Sequence, residues 1–260
     1  MLYTERKGRR AMKQIIKNNL KYLIFLAVFG LVGGYFTGIY SVQNLSPEML
    51  EEVLSEIGSV ELLYVITMIQ SAGYALIFGI IGKIISKHIG LWKKFEPSRM
   101  AVIETVLVII LGGIVFIMAD HLVFNNFSEA IKDSYATKPT LEYIIASITY
   151  GGVVEEVMLR LFLMSLIALI IQKLGKREEM SEKILIISNL ITALLFAAGH
   201  LTATAMMIGI TPMILFRCFL LNGGYGLLFG HLYRKYGIQY SMIAHAGVHI
   251  VSKLIWILFI

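Results

Sequence analysis

The sequence predicts an all-α fold, a polytopic transmembrane helical bundle of seven to eight membrane helices with a cytoplasmic N-terminus. Three observations lead there. The first is composition: 57% of the 260 residues are hydrophobic and 15% charged, too apolar for an ordinary soluble domain of this size. The second is a series of apolar runs near 21–41, 62–86, 101–124, 141–173, 184–208, 212–233 and 239–260, each long enough for the ~20 residues that a helix needs to cross a bilayer. The third is the alternation of charge between them. Arg6, Lys7, Arg9, Arg10, Lys13, Lys17 and Lys21 precede the first run, whereas residues 41–61 carry no basic residue and hold Glu48, Glu51, Glu52 and Glu56. Basic residues return at Lys83, Lys87, Lys93, Lys94 and Arg99, then at Lys173, Lys176, Arg177 and Lys183, and again at Arg234 and Lys235. Cytoplasmic connections hold the excess of lysine and arginine, so seven spans place the N-terminus inside and the C-terminus outside. The same asymmetry, with its attraction to anionic head groups, accounts for the net charge of +6 without nucleic acid as a partner.

Taken in order, the first run is longer than a signal-peptide core and reads as a retained anchor. Its Gly30, Gly34 and Gly38 recur every fourth residue, which lets another helix approach closely. Ser46, Pro47 and Glu48 form a helix start: a capping hydroxyl, a proline in the first turn and an acid favoured by the helix dipole. Leu50, Val53, Leu54 and Ile57 follow with glutamates opposite, the pattern of a short amphipathic helix on the outer membrane face. The fourth run extends about 50 Å at helical rise, and Gly151-Gly152 is a place for it to break, which would make eight elements. The lone Cys218 excludes an intramolecular disulfide and reads as a buried, inert thiol. Glu104, Asp120, His121, Arg217 and His231 read as hydrogen-bond partners between helices or near the interfaces. Residues 1–260 form a single integral membrane domain.

Within the fourth run stand Glu155 and Glu156. An ionised carboxylate there costs at least a few kcal/mol, so adjacent glutamates are a functional hypothesis by default. Glu156 and Arg160 are four apart and able to neutralise each other on one helix face; Glu155, rotated about 100° away, stays available as a base. Phe196 and His200 repeat the spacing in the fifth run, setting an aromatic wall beside an imidazole. His245, His249 and Lys253 form a stripe in the seventh. A stripe so polar faces the interior of a bundle or a wet cavity.

These residues resemble the CPBP intramembrane proteases, the family of type II CAAX prenyl proteases and of Abi bacteriocin-processing or self-immunity proteins. Glu155-Glu156-Val157-Met158-Leu159-Arg160 matches its first motif, Phe196-Ala197-Ala198-Gly199-His200 its second, and His245-Ala246-Gly247-Val248-His249 its third. Asn222 to Gly226, Gly230 to Tyr233, and Gly237 resemble its glycine-rich approach to the last motif. The resemblance covers about 141–251, the family-like catalytic core. The chain departs from it at His249, where the family usually has asparagine; an amide donates a hydrogen bond at any pH, a histidine only in the right tautomer or when protonated.

The resemblance implies a CAAX protease-like endopeptidase, a hydrolase acting on membrane-associated peptides or lipidated C-termini that enter from the bilayer, in a prokaryotic plasma membrane. Glu155 and His200 would activate a water, His245 and His249 would stabilise the oxyanion, and Glu156, Arg160 and Phe196 would support them. No cofactor is required by this scheme. Zinc is the alternative, with Glu155, His200, His245 and His249 as its ligands. A catalytically silent scaffold or self-immunity protein and a proton-coupled transporter remain open as other functions. Depth poses a difficulty for any of them. At 1.5 Å per residue Glu155 lies ~27 Å from Lys173, yet His245 lies only ~9 Å from Gln239, so convergence asks the fourth and fifth helices to project into the cytoplasm, or the fourth to break or tilt.

Overall fold

The computed structural model describes residues 2–260, with side chains from Asn19 onward; the basic side chains from Arg6 to Lys17 lie outside the described set. Helix follows helix: α1 (Leu2–Asn44), α2 (Pro47–Ile57), α3 (Val60–His88), α4 (Arg99–Leu122), a 3-10 turn (Phe124–Phe127), α5 (Glu129–Ser134) and α6 (Leu141–Ala146). Two π-wound stretches, Ser147–Glu155 and Val157–Met164, lead into α7 (Ser165–Leu174), then α8 (Glu182–Gly199), α9 (Leu201–Ile208) and α10 (Pro212–Cys218). A third π-wound stretch, Phe219–Gly223, opens into α11 (Gly224–Tyr236), and α12 (Ile238–Phe259) follows. No strand occurs among the described residues.

Six helical segments have the length and apolarity of a membrane span: Asn19–Asn44, Val60–His88, Arg99–Phe127, Glu182–Ile208, Pro212–Tyr236 and Ile238–Phe259. They coincide with six of the seven predicted runs, and the protein is an integral membrane protein. The fourth run is built differently from the other six. Residues 141–174 form one continuous helix, and Gly151-Gly152 does not break it. The expected interruption is replaced by π winding, in which i→i+5 hydrogen bonds put more residues into each turn. Each residue therefore advances less along the axis, and the count that set Glu155 so far from Lys173 overestimates the distance.

Capping follows the sequence closely. The Ser46 hydroxyl accepts from the Met49 amide at 3.2 Å, opening α2 with Pro47 in its first turn. Ser59, Ser98, Ser128, Thr140, Ser181 and Thr211 cap α3, α4, α5, α6, α8 and α10 in the same way. Each removes one orphaned amide at a helix start.

Two ends of the bundle are distinguished by their polar contacts. At one, Lys93 donates to the carbonyls of Arg234 and Lys235 at 3.0 and 2.7 Å, closing the C-terminus of α11 where a cation is favoured. Arg234 pairs with Glu182 there, Lys235 with Glu104 at 2.6 Å, and His231 with Glu104 at 3.3 Å. At the other, Gln43 and Thr140 bond at 3.3 Å and Tyr40 stacks on Tyr143 with centroids 4.4 Å apart. Asp120 receives Arg217 through two bonds of 2.5 Å and Tyr135 at 2.9 Å. Glu104, Asp120, Arg217 and His231 tie helices together as expected, whereas His121 is exposed near the end of α4; Cys218 is buried and free, its thiol donating to the Ala197 carbonyl at 3.4 Å.

Small residues let the helices close on one another. The Gly30, Gly34 and Gly38 stripe of α1 packs against Ala72, Met68 and Tyr64 of α3. On α3, a Cβ at Gly82 would lie 2.8 Å from the Leu161 carbonyl oxygen and 2.9 Å from the Phe162 amide nitrogen. Backbone cannot step aside as a side chain can. Gly82→Ala is expected to destabilise the bundle by about 1–3 kcal/mol, the cost of overpacking. Thermal unfolding in detergent reads this, and an unchanged midpoint contradicts the packing argument.

Candidate active site

The site is built on the π-wound helix and α12, with α8 and α11 closing it. Glu156 is fully buried and sits between three partners. Arg160 reaches its Oε1 at 3.0 Å, His245 Nδ1 lies 2.8 Å from the same oxygen, and the Ser241 hydroxyl donates to Oε2. The predicted Glu156–Arg160 pair is therefore present, and Glu156 does more than neutralise it. It reaches across to α12 and orients an imidazole.

The Arg160 guanidinium, 1% exposed, lies 4.6 Å from the Phe196 ring and 5.5 Å from that of Phe229. Its flat faces are covered by aromatic rings, a favourable seat for a cation in a desolvated place. Phe229 also stacks on His245 at 4.4 Å and 20°. Phe196 meets His200 edge-on at 4.6 Å and His245 at 6.2 Å. The aromatic wall expected from Phe196 is thus shared by the arginine and two histidines.

His200 closes α8 and begins α9, at the point where the fifth span changes helix. Its Nδ1 lies 2.9 Å from the Phe196 carbonyl. A carbonyl only accepts, so Nδ1 carries the proton and Nε2 presents a lone pair. His245 and His249 stack at 5.0 Å and 30°. Both point Nε2 at Gly151: a Cβ built there would lie 3.3 Å from that atom of His249 and 3.6 Å from that of His245. Gly152 beside it admits α12, since a Cβ there would come 2.7 Å from Cβ of Ala246. The glycine pair that reads as a helix break in the sequence is instead the contact surface that seats both histidines.

Glu155 lies four residues beyond Gly151, one turn along the same helix, and is half-buried. It has no hydrogen-bond or ion-pair partner among the described residues, and its carboxylate feels Tyr150 and Arg160 by charge alone. Of the predicted residues, then, Glu156, Arg160, His245 and His249 are brought into one cluster and Phe196 walls it. His200 joins through the Phe196 ring, and Glu155 stands beside it with its oxygens uncommitted. Depth is no barrier, because Glu156 and His245 are bonded.

Zinc, the alternative reading of the sequence, would take Glu155, His200, His245 and His249. His200 and His245 engage Nδ1 with the Phe196 carbonyl and the Glu156 carboxylate, which leaves Nε2 as the atom a metal would take; among the described residues no three His, Cys, Asp or Glu side chains are grouped so as to hold a metal ion.

Sequence reasoning missed Ser241, Phe229 and Gly151. Ser241 stands four residues before His245 and extends its stripe by one turn, a signal available in the sequence. Phe229 belongs to another helix and had none. Gly151→Val is expected to push the two imidazoles aside; a misplacement of about 1 Å can cost on the order of 100-fold in rate. Peptide cleavage by folded protein of wild-type melting temperature measures it, and full activity removes Gly151 from the site.

Comparison with family models matches residues 137–251 to Rce1-like, type II CAAX prenyl endopeptidase Rce1-like. The matched segment contains every residue of the cluster. No curated protein matches the chain, and no solved structure does. Three motifs on three helices converge inside the matched segment, and residues 137–251 are similar to the Rce1-like type II CAAX prenyl endopeptidases.

Proposed function

We propose that the protein is an intramembrane endopeptidase that cleaves lipidated C-terminal or other membrane-associated peptides, with Glu155 as the base. The observation that carries this reading is the convergence of the His245 and His249 Nε2 atoms over Gly151, one turn from a carboxylate with no bonded partner among the described residues. Peptide hydrolysis needs those parts: a base for water, donors for the oxyanion and a proton for the leaving amine.

In the proposed reaction a water donates one hydrogen bond to Glu155 and the other to the bare Nε2 of His200. Its oxygen attacks the scissile carbonyl carbon as its proton passes to Glu155. The C=O π pair moves onto oxygen, and that oxyanion accepts from His249 Nε2–H, and from His245 Nε2 when that imidazole carries both protons. When the C–N bond breaks, Glu155 returns the proton to the departing nitrogen, leaving a carboxylic acid and an amine, which exchange a proton to become carboxylate and ammonium. Glu156 holds His245 in place through Nδ1, and Arg160 balances the Glu156 charge. The basic end that carries Lys93, Arg234 and Lys235 faces the cytoplasm, and the setting is a prokaryotic plasma membrane.

The test is direct. Purified protein in detergent is incubated with a farnesylated peptide ending in a CAAX sequence and with an unprenylated leader-type peptide, and products are read by mass spectrometry. Release of a C-terminal tripeptide from the first, absent with Glu155→Ala, is the expected result. Metal analysis and a chelation arm accompany it, with cleavage persisting after chelation. Intact peptides in all arms would overturn the peptidase reading.

A further inference from the structure

Lys253 takes no part in the scheme above, yet it is 4% exposed inside an apolar bundle. It lies one turn beyond His249 on α12, with its Nζ 3.3 Å from His249 Nδ1. The same nitrogen stands 4.1 Å from the centre of the Tyr143 ring, within cation–π range. Tyr143 is itself stacked on Tyr40 of α1 and edged by Trp256 of α12. Neither ring supplies a carboxylate, so the lysine is not there to neutralise an acid. What it touches is the imidazole.

A neutral imidazole carries one proton on its two nitrogens, and the partner of one nitrogen decides where the proton sits. The three site histidines have three different partners. His200 Nδ1 faces a carbonyl and His245 Nδ1 a carboxylate, so each keeps its proton on Nδ1 and, when neutral, shows a lone pair at Nε2. His249 Nδ1 faces an ammonium, which has three N–H groups and no lone pair. While the Lys253 amine is charged, Nδ1 accepts there, and the proton is left on Nε2, the atom aimed at Gly151.

We infer that Lys253 is a positioning residue that fixes the His249 tautomer, making His249 the standing N–H donor to the oxyanion. The catalytic meaning of this rests on the peptidase reading; the tautomer does not. It also answers the departure noted in the sequence. An asparagine amide donates unaided, whereas a histidine at position 249 needs a neighbour to hold its proton on the correct nitrogen.

The experiment combines spectroscopy with kinetics. In ¹⁵N-histidine-labelled full-length protein, His249 is assigned by the resonances lost in His249→Asn, and it is expected as the Nε2–H tautomer in wild type and in Lys253→Arg. Lys253→Met, which keeps the chain length and removes the donor, is expected to show a growing Nδ1–H population. On the cleaved peptide its kcat should fall about 100-fold, the cost of losing one oxyanion donor, with KM nearly unchanged and with Lys253→Arg restoring most of the rate. In a His249→Asn background Lys253→Met should cost little, because the amide needs no tautomer. A wild-type spectrum with the proton on Nδ1, or an equal loss from Lys253→Met in both backgrounds, overturns the inference. The wild-type spectrum decides it even if the methionine variant does not fold. Absence of cleavage in every variant beside an Nε2–H spectrum would instead count against the peptidase reading alone.

Discussion

Glu155→Gln is expected to abolish measurable peptide cleavage while leaving the fold intact. The side chain is half-buried and has no hydrogen-bond or ion-pair partner among the described residues, so its replacement by an isosteric amide removes a base and little else. Loss of a general base lowers turnover by about 10²–10⁴-fold. A substitution that breaks no buried contact shifts stability by about 0.5 kcal/mol or less. Kinetics and thermal melting on the same preparation separate the two effects. A variant that melts early and cleaves normally would invert the assignment, making Glu155 structural and moving the base elsewhere.

The opposite pattern is expected next door. Glu156→Ala leaves the Arg160 guanidinium, 1% exposed, without its counter-charge and strips His245 and Ser241 of their acceptor. Breaking a buried ion pair from one side costs about 3–5 kcal/mol, because an uncompensated charge stays behind. That is a large fraction of the 5–15 kcal/mol that separates folded from unfolded chains of ordinary stability. Little folded protein should survive purification. Combining Glu156→Leu with Arg160→Met removes both charges together and should recover much of the stability, since well-packed apolar replacements of buried pairs are often neutral. It should not recover activity, because the imidazole of His245 would have lost the group that orients it. Equal stability of wild type and Glu156→Ala in a chemical or thermal melt contradicts the burial argument.

This contrast between neighbouring glutamates shows how far residues alone carry the reading. Adjacent positions on a helix point in different directions, so one of the two acids had to part from Arg160, and spacing alone named Glu156 as its partner. The same local logic placed the Ser46 cap, the α2 amphipathic helix and the glycine stripe of α1. In each case the pattern is read along a single helix, where spacing in the chain is spacing in space, even though the partner of the glycine stripe lies on α3.

The errors have a common cause as well. Gly151-Gly152 has the composition of a helix break, and absence of side chains is compatible with either a kink or a close helix approach. Only the presence of α12 against it selects the second. Bonding of Glu156 to His245 spans 89 positions, and the Phe229 stack comes from a third helix; no periodicity encodes either. The π-wound stretches 147–155 and 157–164 shorten the fourth run only slightly; the contact of Glu156 with His245, between helices, is what shows that the two depths meet.

Hydrophobic run length, charge alternation and four-residue spacing determined the membrane bundle, its polar stripes and the acids and imidazoles that could do chemistry, because bilayer thickness and helical pitch act on contiguous chain. Tertiary packing decided which nitrogen of each histidine is free, which glutamate is held and which is unbound. Those are contacts between helices that the chain order does not make neighbours, and a proton goes where its hydrogen-bond partner puts it.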